Sequence, residues 1–161
     1  MSQHLSILCT GQIDISDEIR AACLPVLIDV VPYIEVHAIR DEYTQKRILE
    51  LQNASVNVVF TSFNAVTAVA GSLETTPDHW RIYCLSGKTQ EVAAAYFGAG
   101  SIVATAPDSS TLATIIANGG VTDAVFFCGN IRMDTLPLSL AEKGIELAEL
   151  IVYYTETQTS V

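Results

Sequence analysis

The sequence predicts an α/β fold with a parallel sheet, in which a central lobe is joined to an incomplete first lobe. Three observations predict this class. Half of the 161 residues are apolar and 16% are charged, which favours a sizeable core and excludes a disordered chain. Short β-branched or aromatic runs recur, each followed by a polar turn and an amphipathic helical pattern. Two long extended segments, residues 26–39 and 147–157, interrupt this alternation.

Five strand-then-helix units follow one another along the chain. Each combines a short apolar run with a helical pattern of about 10–12 residues, as in βαβ units around a parallel sheet. Asp108, Ser109 and Ser110 are candidate N-caps, and Trp80 is expected to begin a strand. The units read SILCTG then SDEIRAACLP, VNVVFTS then FNAVTAVAGSL, RIYCLSG then KTQEVAAAYFG, SIVATAPD then SSTLATIIANG, and DAVFFCGN then IRMDTLPLSLAEKG.

The two extended segments divide the chain. Pro32 lies inside the first, and because proline cannot donate to a sheet ladder, a strand should end or change sheet there. We assign residues 1–34 to a partial first lobe with a β-α-β pattern, 35–152 to the central α/β lobe, and 153–161 to the start of a return crossing. A strand, a helix and a further strand cannot close a two-layer core alone, so the first lobe is incomplete.

The charge of the chain limits its partners. Asp and Glu number 18 against 8 Lys and Arg, a net charge of −10. Nucleic acids and anionic membranes are bound through basic clusters, so we expect neither as a partner.

No signal-peptide pattern and no run near the ~18 apolar residues of a membrane span occur, which favours a cytoplasmic protein. Cys9, Cys23, Cys84 and Cys128 lack metal-ligand spacing, so we expect no metal. Three of them, Cys9, Cys84 and Cys128, end apolar runs, so we expect buried apolar thiols.

Polar turns at the predicted strand ends form the candidate site. In open parallel sheets, ligands bind outside the carboxyl ends of the strands, and the amides of helix N-termini attract anions. The turns are residues 61–64, 86–89, 105–108 and 128–130. Lys88 and Arg132 are the cations in these turns, and either can pair with a ligand carboxylate. Ordinary helix capping is the alternative interpretation, and no phosphate-loop motif is present.

The pair Tyr153-Tyr154 is the most informative aromatic feature. Neighbouring strand residues point to opposite faces, so one ring should face a cleft and the other should pack. A phenol can donate a proton to a leaving oxygen. The alternative is that both rings are structural.

Five segments, in order over residues 56–155, resemble uroporphyrinogen-III synthase. They are VVFTSFNAV, YCLSGKTQEVAAAYFG, SIVATAPDSSTLA, VFFCGNIRMDTLPLSLAEKGIEL and ELIVYYT. The resemblance implies two α/β lobes joined by a two-stranded ladder, with the second lobe inserted into the first. It implies a hydro-lyase of haem biosynthesis, which cyclises hydroxymethylbilane to uroporphyrinogen III and inverts ring D without a metal or cofactor. We also expect a monomer that receives its linear tetrapyrrole from hydroxymethylbilane synthase.

The resemblance also implies roles for particular residues. Tyr153 matches the family's proton-donor candidate, which assists departure of the substrate hydroxyl. Thr61, Ser62 and Thr89, with backbone amides near Asn64, Gly129 and Asn130, match positions that hold acetate and propionate groups. The strand-end turns add Ser86, Gly87, Lys88 and Arg132 to this expected binding set.

Family members are longer, because their chain returns to complete the first lobe. We therefore expect a fragment of a longer synthase; a short paralogue and a lobe completed by another chain are the alternatives. A non-catalytic module that binds tetrapyrroles or other polycarboxylates is the alternative function. A response-regulator-like domain has no support, since no acidic cluster follows the first strand.

Overall fold

The structure, a computed structural model, describes residues 5–9, 26–30 and 34–157. Within these ranges, no helix has the length and apolar character needed to cross a membrane. The elements are, in order, β1 (Leu5–Cys9), β2 (Val26–Val30), β3 (Ile34–Ala38), α1 (Glu42–Gln52), β4 (Val56–Phe60), α2 (Phe63–Ala70), β5 (Trp80–Leu85), α3 (Lys88–Phe97), a 3₁₀ turn (Ala99–Ser101), β6 (Ile102–Ala106), α4 (Ser109–Asn118), β7 (Asp123–Gly129), α5 (Thr135–Glu142) and β8 (Glu146–Thr157).

The chain divides into two compact units, Met1–Val36 with Thr155–Val161 and His37–Tyr154. In the first unit, β1 and β2 pair in parallel, with Leu5 opposite Val26. The helix predicted between these strands and Pro32 both lie outside the described residues. The assignment of residues 1–34, 35–152 and 153–161 to lobes stays a prediction.

The main sheet has six strands in the order β3-β8-β7-β4-β5-β6. The pairs β4–β5, β5–β6, β4–β7 and β7–β8 are all parallel, which confirms the predicted α/β class. From β4 the chain moves outward to β5 and β6, and then returns to place β7 on the other side of β4. The strand order therefore reverses between β4 and β7, and such a reversal opens a crevice at the carboxyl ends of the two strands.

Helices cover both faces of this sheet, because its central strands are apolar on both sides. In β4, Val58 and Phe60 pack in a cluster that includes residues of α1, α2 and α3. Val59 points the other way and packs with residues of α4 and α5. Trp80 begins β5, as predicted, and its Nε1 donates to the Leu51 carbonyl oxygen at 2.9 Å.

The predicted helices α2, α3 and α4 begin where expected, but α5 does not. It begins at Thr135 rather than at Ile131, where the sequence pattern placed it. Proline is tolerated in the first turn of a helix but removes a hydrogen bond from its interior. A start at Thr135 keeps Pro137 in the first turn, and it leaves residues 131–134 as an irregular segment after β7.

Candidate functional site

A cleft of about 250 Å³ lies at the carboxyl ends of β4 and β7, where the strand order reverses. Thr61 and Ser62 follow β4, Gly129 ends β7, and Tyr153 reaches the cleft from β8. The remaining lining comes from Leu85, Ser109, Phe126, Cys128, Ile131, Arg132, Met133 and Leu136. Hydroxyl groups and one guanidinium are thus set among apolar side chains, an arrangement that suits a ligand with apolar rings and anionic substituents.

An irregularity in β8 sets the position of Tyr153. Cys128 pairs with Ile151, but Gly129 pairs with Tyr153, so Val152 is an extra residue on β8. A bulge of this kind re-aims the side chains that follow it. Val152 and Tyr153, although adjacent, accordingly belong to the same hydrophobic cluster.

The absence of a side chain at Gly129 leaves room for the Tyr153 ring. A Cβ atom at position 129 would lie 2.5 Å from Tyr153 Cζ and 2.8 Å from its Oη. The ring therefore occupies the space of the missing side chain and is only 8% exposed. The next ring, Tyr154, instead stacks on His37 with 5.1 Å between centroids. One tyrosine thus lines a cleft while its neighbour packs against another ring.

Arg132 forms an ion pair with Glu149 of β8 beside the cleft. Their side chains are 29% and 30% exposed, so the pair is partly shielded from solvent. Partial burial acts to lower the pKa of Arg132, but the hydrogen bond and charge of Glu149 outweigh it and raise that pKa above its ordinary value. The Arg132 guanidinium accordingly stays protonated, and the carboxylate of Glu149 offsets its positive charge.

Cys128 lines the cleft as a neutral thiol. Burial raises its pKa to about 11, with Arg132 opposing and Glu149 reinforcing the shift. Burial likewise raises the pKa of Cys84 to about 11. The expected buried thiols are confirmed for these two residues, whereas the side chains of Cys9 and Cys23 lie outside the described part. A thiol with such a pKa supplies little thiolate at neutral pH.

The cleft brings together five of the expected site residues, which are Thr61, Ser62, Gly129, Arg132 and Tyr153. The other six do not line it: Asn64, Ser86, Gly87, Lys88, Thr89 and Asn130.

Local hydrogen bonds occupy several amides that the expected set would have offered to a ligand. The Asn64 amide donates to Ser62 Oγ at 3.2 Å, and the Asn130 amide donates to the Tyr153 carbonyl oxygen at 3.1 Å. Ser86 donates its amide and its hydroxyl to the Ala106 carbonyl oxygen. A carboxylate could reach these donors only by breaking existing bonds.

The turn between β5 and α3 does not line the cleft, although Leu85 at the end of β5 does. Gly87 has φ of 77°, a backbone conformation that favours glycine, and Lys88 is exposed at the start of α3. Thr89 is 7% exposed and packs inside. Along this strand the cleft lining therefore ends at Leu85, and the conformation of the turn that follows keeps these residues out of the cleft.

Two of the four helix starts carry carboxylates of their own, and the expectation that all four starts hold ligand anions stays a prediction. Asp108 caps α4, accepting hydrogen bonds from the Thr111 amide at 2.8 Å and the Thr111 hydroxyl at 2.9 Å. The backbone bond, helped by the hydroxyl, holds the pKa of Asp108 below its usual value. Asp134 occupies the corresponding position of α5. Each carboxylate repels an incoming anion.

Sequence reasoning missed most of the apolar lining. Ile131 and Met133, which flank Arg132, are 66% and 78% exposed. Two large apolar residues in a strand-to-helix segment were a visible signal for a binding surface. Leu85, Ser109, Phe126 and Leu136 had no such signal, because their convergence depends on strand order. In the part of the chain that the structure describes, no three potential ligands gather into a metal site.

One known protein family matches most of the chain. The family model described as uroporphyrinogen-III synthase HemD matches residues 24–160. The chain belongs to this family. The resemblance inferred from the sequence is therefore confirmed, and the matched range contains every residue that lines the cleft.

Solved structures of uroporphyrinogen-III synthases share the fold. A mutant enzyme from the extremely thermophilic bacterium Thermus thermophilus superposes with a TM-score of 0.65 at 15% identity, covering 96% of this chain and 64% of that chain. The enzyme from Helicobacter pylori gives 0.64 at 15% identity, covering 99% and 65%. This chain thus spans less than two thirds of the length of either structure. No curated protein sequence matches this chain.

Proposed function

We propose that this HemD-family chain cyclises hydroxymethylbilane to uroporphyrinogen III with inversion of ring D. The observation that carries the proposal is the position of Tyr153. This residue matches the family's tyrosine, and it lines the cleft at the strand reversal together with Thr61, Ser62 and Arg132. In this proposal Tyr153 is the proton donor, and Thr61, Ser62 and Arg132 bind carboxylates of the substrate.

In the proposed reaction, Tyr153 donates its phenolic proton to the terminal hydroxyl group of the substrate, which leaves as water. The substituted α-carbon of ring D attacks the exocyclic methylene of the azafulvene cation that remains, which gives a spiro intermediate. The older bond from this carbon to the bridge on ring C then breaks, the bridge carbon joins the other α-carbon of ring D, and the proton lost as ring D regains aromaticity returns to the Tyr153 phenolate. The reacting carbon chain belongs to the substrate, so the protein's main task is to fold that chain into a geometry close to attack.

The polar and apolar side chains that line the cleft suit different parts of the substrate. The Arg132 guanidinium can pair with an acetate or propionate group, and the hydroxyls of Thr61 and Ser62 can donate to others. Ile131 and Met133 offer apolar contact to pyrrole rings. At about 250 Å³ the cleft is smaller than most ligand pockets, which measure roughly 300–1,000 Å³, so it would receive only part of a linear tetrapyrrole.

The test is conversion of freshly generated hydroxymethylbilane by this chain. Spontaneous closure yields isomer I, so we expect isomer III to appear only with the protein present, measured by chromatography of the oxidised porphyrins. Isomer I alone would contradict the proposal. Binding of uroporphyrin without any isomer III would support instead the non-catalytic polycarboxylate-binding module.

Replacement of Tyr153 by phenylalanine tests the proton donor. We expect Tyr153→Phe to lower kcat about 10- to 100-fold, because general acid catalysis is lost while substrate folding is retained. Tyr154→Phe is the matched control, since Tyr154 stacks on His37 and does not line the cleft. Equal rates for Tyr153→Phe and the unsubstituted chain would remove Tyr153 from the mechanism.

The proposal includes the expected setting of the reaction. The chain would act as a cytoplasmic monomer, with its linear tetrapyrrole handed over by hydroxymethylbilane synthase. Co-sedimentation of the two proteins with and without substrate measures that hand-off. Sedimentation of this chain alone at its own mass, 17.3 kDa, supports the monomer.

A further inference from the structure

The ion pair between Arg132 and Glu149 controls the positive charge at the cleft. Among the described residues that line the cleft, Arg132 is the one with a positive charge. It lies in the irregular segment between β7 and α5, whereas Glu149 projects from β8, where its backbone pairs with Phe126. Phe126 itself lines the cleft. The carboxylate of Glu149 thus reaches the cation from an element that also carries Tyr153.

The ion pair offsets the positive charge that Arg132 would otherwise bring to the cleft. Glu149 cancels the charge of Arg132, and both side chains are about 30% exposed, so solvent screens them less than it screens a fully exposed pair. A guanidinium has five N–H donors, and the structure shows one contact, from Nη2 to the Glu149 carboxylate. The remaining donors can make the first contact with an incoming carboxylate, which then competes with Glu149 for the positive charge.

We propose that Glu149 competes with the ligand for Arg132. Its carboxylate pairs with the guanidinium until a carboxylate of the polyanionic substrate or product replaces it. This inference rests on the proposed function, since it assumes a polycarboxylate in the cleft. Glu149 is then a specificity residue that lowers affinity. The product carries as many carboxylates as the substrate and would be held by the same contacts. Weaker binding therefore favours its release.

Three single variants separate competition from simple positioning. Glu149→Gln removes the competing charge but keeps an oxygen that accepts a hydrogen bond from Arg132. Glu146→Gln is the matched control, because it removes the same charge from an exposed position on the same strand. Arg132→Gln removes the cation. The single tryptophan, Trp80, is 3% exposed and reports whether each variant is folded.

The measurement is the Kd of uroporphyrin, a stable octacarboxylate, from its fluorescence in a titration. At low salt we expect Glu149→Gln to bind about fivefold more tightly than the unsubstituted chain, and Glu146→Gln to change Kd by less than about twofold. The gain should shrink as salt screens the charges, and it should vanish in the double variant with Arg132→Gln. The KM for hydroxymethylbilane should fall with the Kd.

Two results would overturn the inference. One is an unchanged or weaker Kd for Glu149→Gln, which would make Glu149 a support for Arg132 instead of a competitor. The other is an equal gain for Glu146→Gln, which would reduce the effect to overall charge. If the unsubstituted chain makes isomer III and either result is found, only this inference fails. If it neither turns over hydroxymethylbilane nor binds uroporphyrin, the proposed function fails with it.

Discussion

A single missing side chain decides where the Tyr153 ring can lie. Gly129 was expected to offer its backbone to a ligand, but in the structure it also leaves room for the tyrosine. Arg132 shows a second effect at the same scale, since a charge expected to be available to a ligand is already paired with Glu149. In both cases a neighbour from β8, distant in sequence, determines what the residue can do.

Replacement of Gly129 by alanine tests the first of these effects. The new methyl group would lie within 3 Å of two ring atoms and the phenolic oxygen of Tyr153, so the ring or the strand must move. We expect Gly129→Ala to lower the free energy of unfolding by about 1–3 kcal/mol, the usual cost of overpacking. Urea denaturation followed by Trp80 fluorescence measures this change.

The control for that experiment is Gly100→Ala. Nothing lies within 4 Å of a Cβ at position 100, and the backbone there has no positive φ. We expect its free energy of unfolding to stay close to that of the unsubstituted chain. An equal loss in both variants would mean that the Tyr153 ring is not the cause.

At the scale of elements, strand and helix placement followed local chemistry closely. The apolar run of β4 and the Asp108 cap of α4 are both readable from sequence, because they depend on neighbours along the chain. The late start of α5 could also have been read from Pro137. The bulge in β8 could not, since it depends on how Ile151 and Tyr153 pair with β7.

The cap of α4 predicts a pH dependence. The pKa of Asp108 is lowered by the Thr111 hydrogen bonds, so its stabilisation is complete above the unfolded pKa, about 3.9, and is lost as pH falls through the folded value. We expect Asp108→Asn to have a lower thermal midpoint than the unsubstituted chain at pH 7. The difference should narrow below about pH 4, as followed by circular dichroism.

Asp78→Asn serves as the control, because Asp78 is exposed in the segment before β5 and caps no helix. The difference between its thermal midpoint and that of the unsubstituted chain should stay the same from neutral to acidic pH. A difference for Asp108→Asn that stayed constant over the whole pH range would contradict an ionised cap.

At the scale of the whole molecule, the charge of −10 opposes the approach of an anionic ligand. The acidity excludes binding through basic patches but allows anions to bind at a local cluster of donors. The cleft fits this distinction, since it holds hydroxyl groups and a single described cation among apolar side chains. Long-range repulsion and local attraction then have opposite dependences on salt.

This opposition predicts the salt dependence of association. The Debye length falls from about 30 Å at 0.01 M salt to about 8 Å at 0.15 M, which screens the distant charges first. We therefore expect the association rate of uroporphyrin, measured by stopped-flow fluorescence, to rise over this range. A neutral porphyrin ester is the control and should show no rise. A rate that fell steadily with salt would indicate that a local positive field guides binding.

The sequence by itself determined the parallel α/β class, most helix and strand positions, and the family, because these depend on periodicity, capping and ordered motifs along the chain. It also led to the proposal of Tyr153 as the proton donor. Only the tertiary structure decided which strand ends meet. The order β8-β7-β4 brings Thr61 and Ser62 to Gly129 and Tyr153, while the packing of the turn after β5 leaves Lys88 and Thr89 outside the cleft. Strand order and the pairing of Arg132 with Glu149 are set by contacts between distant segments, and local spacing carries no record of those contacts.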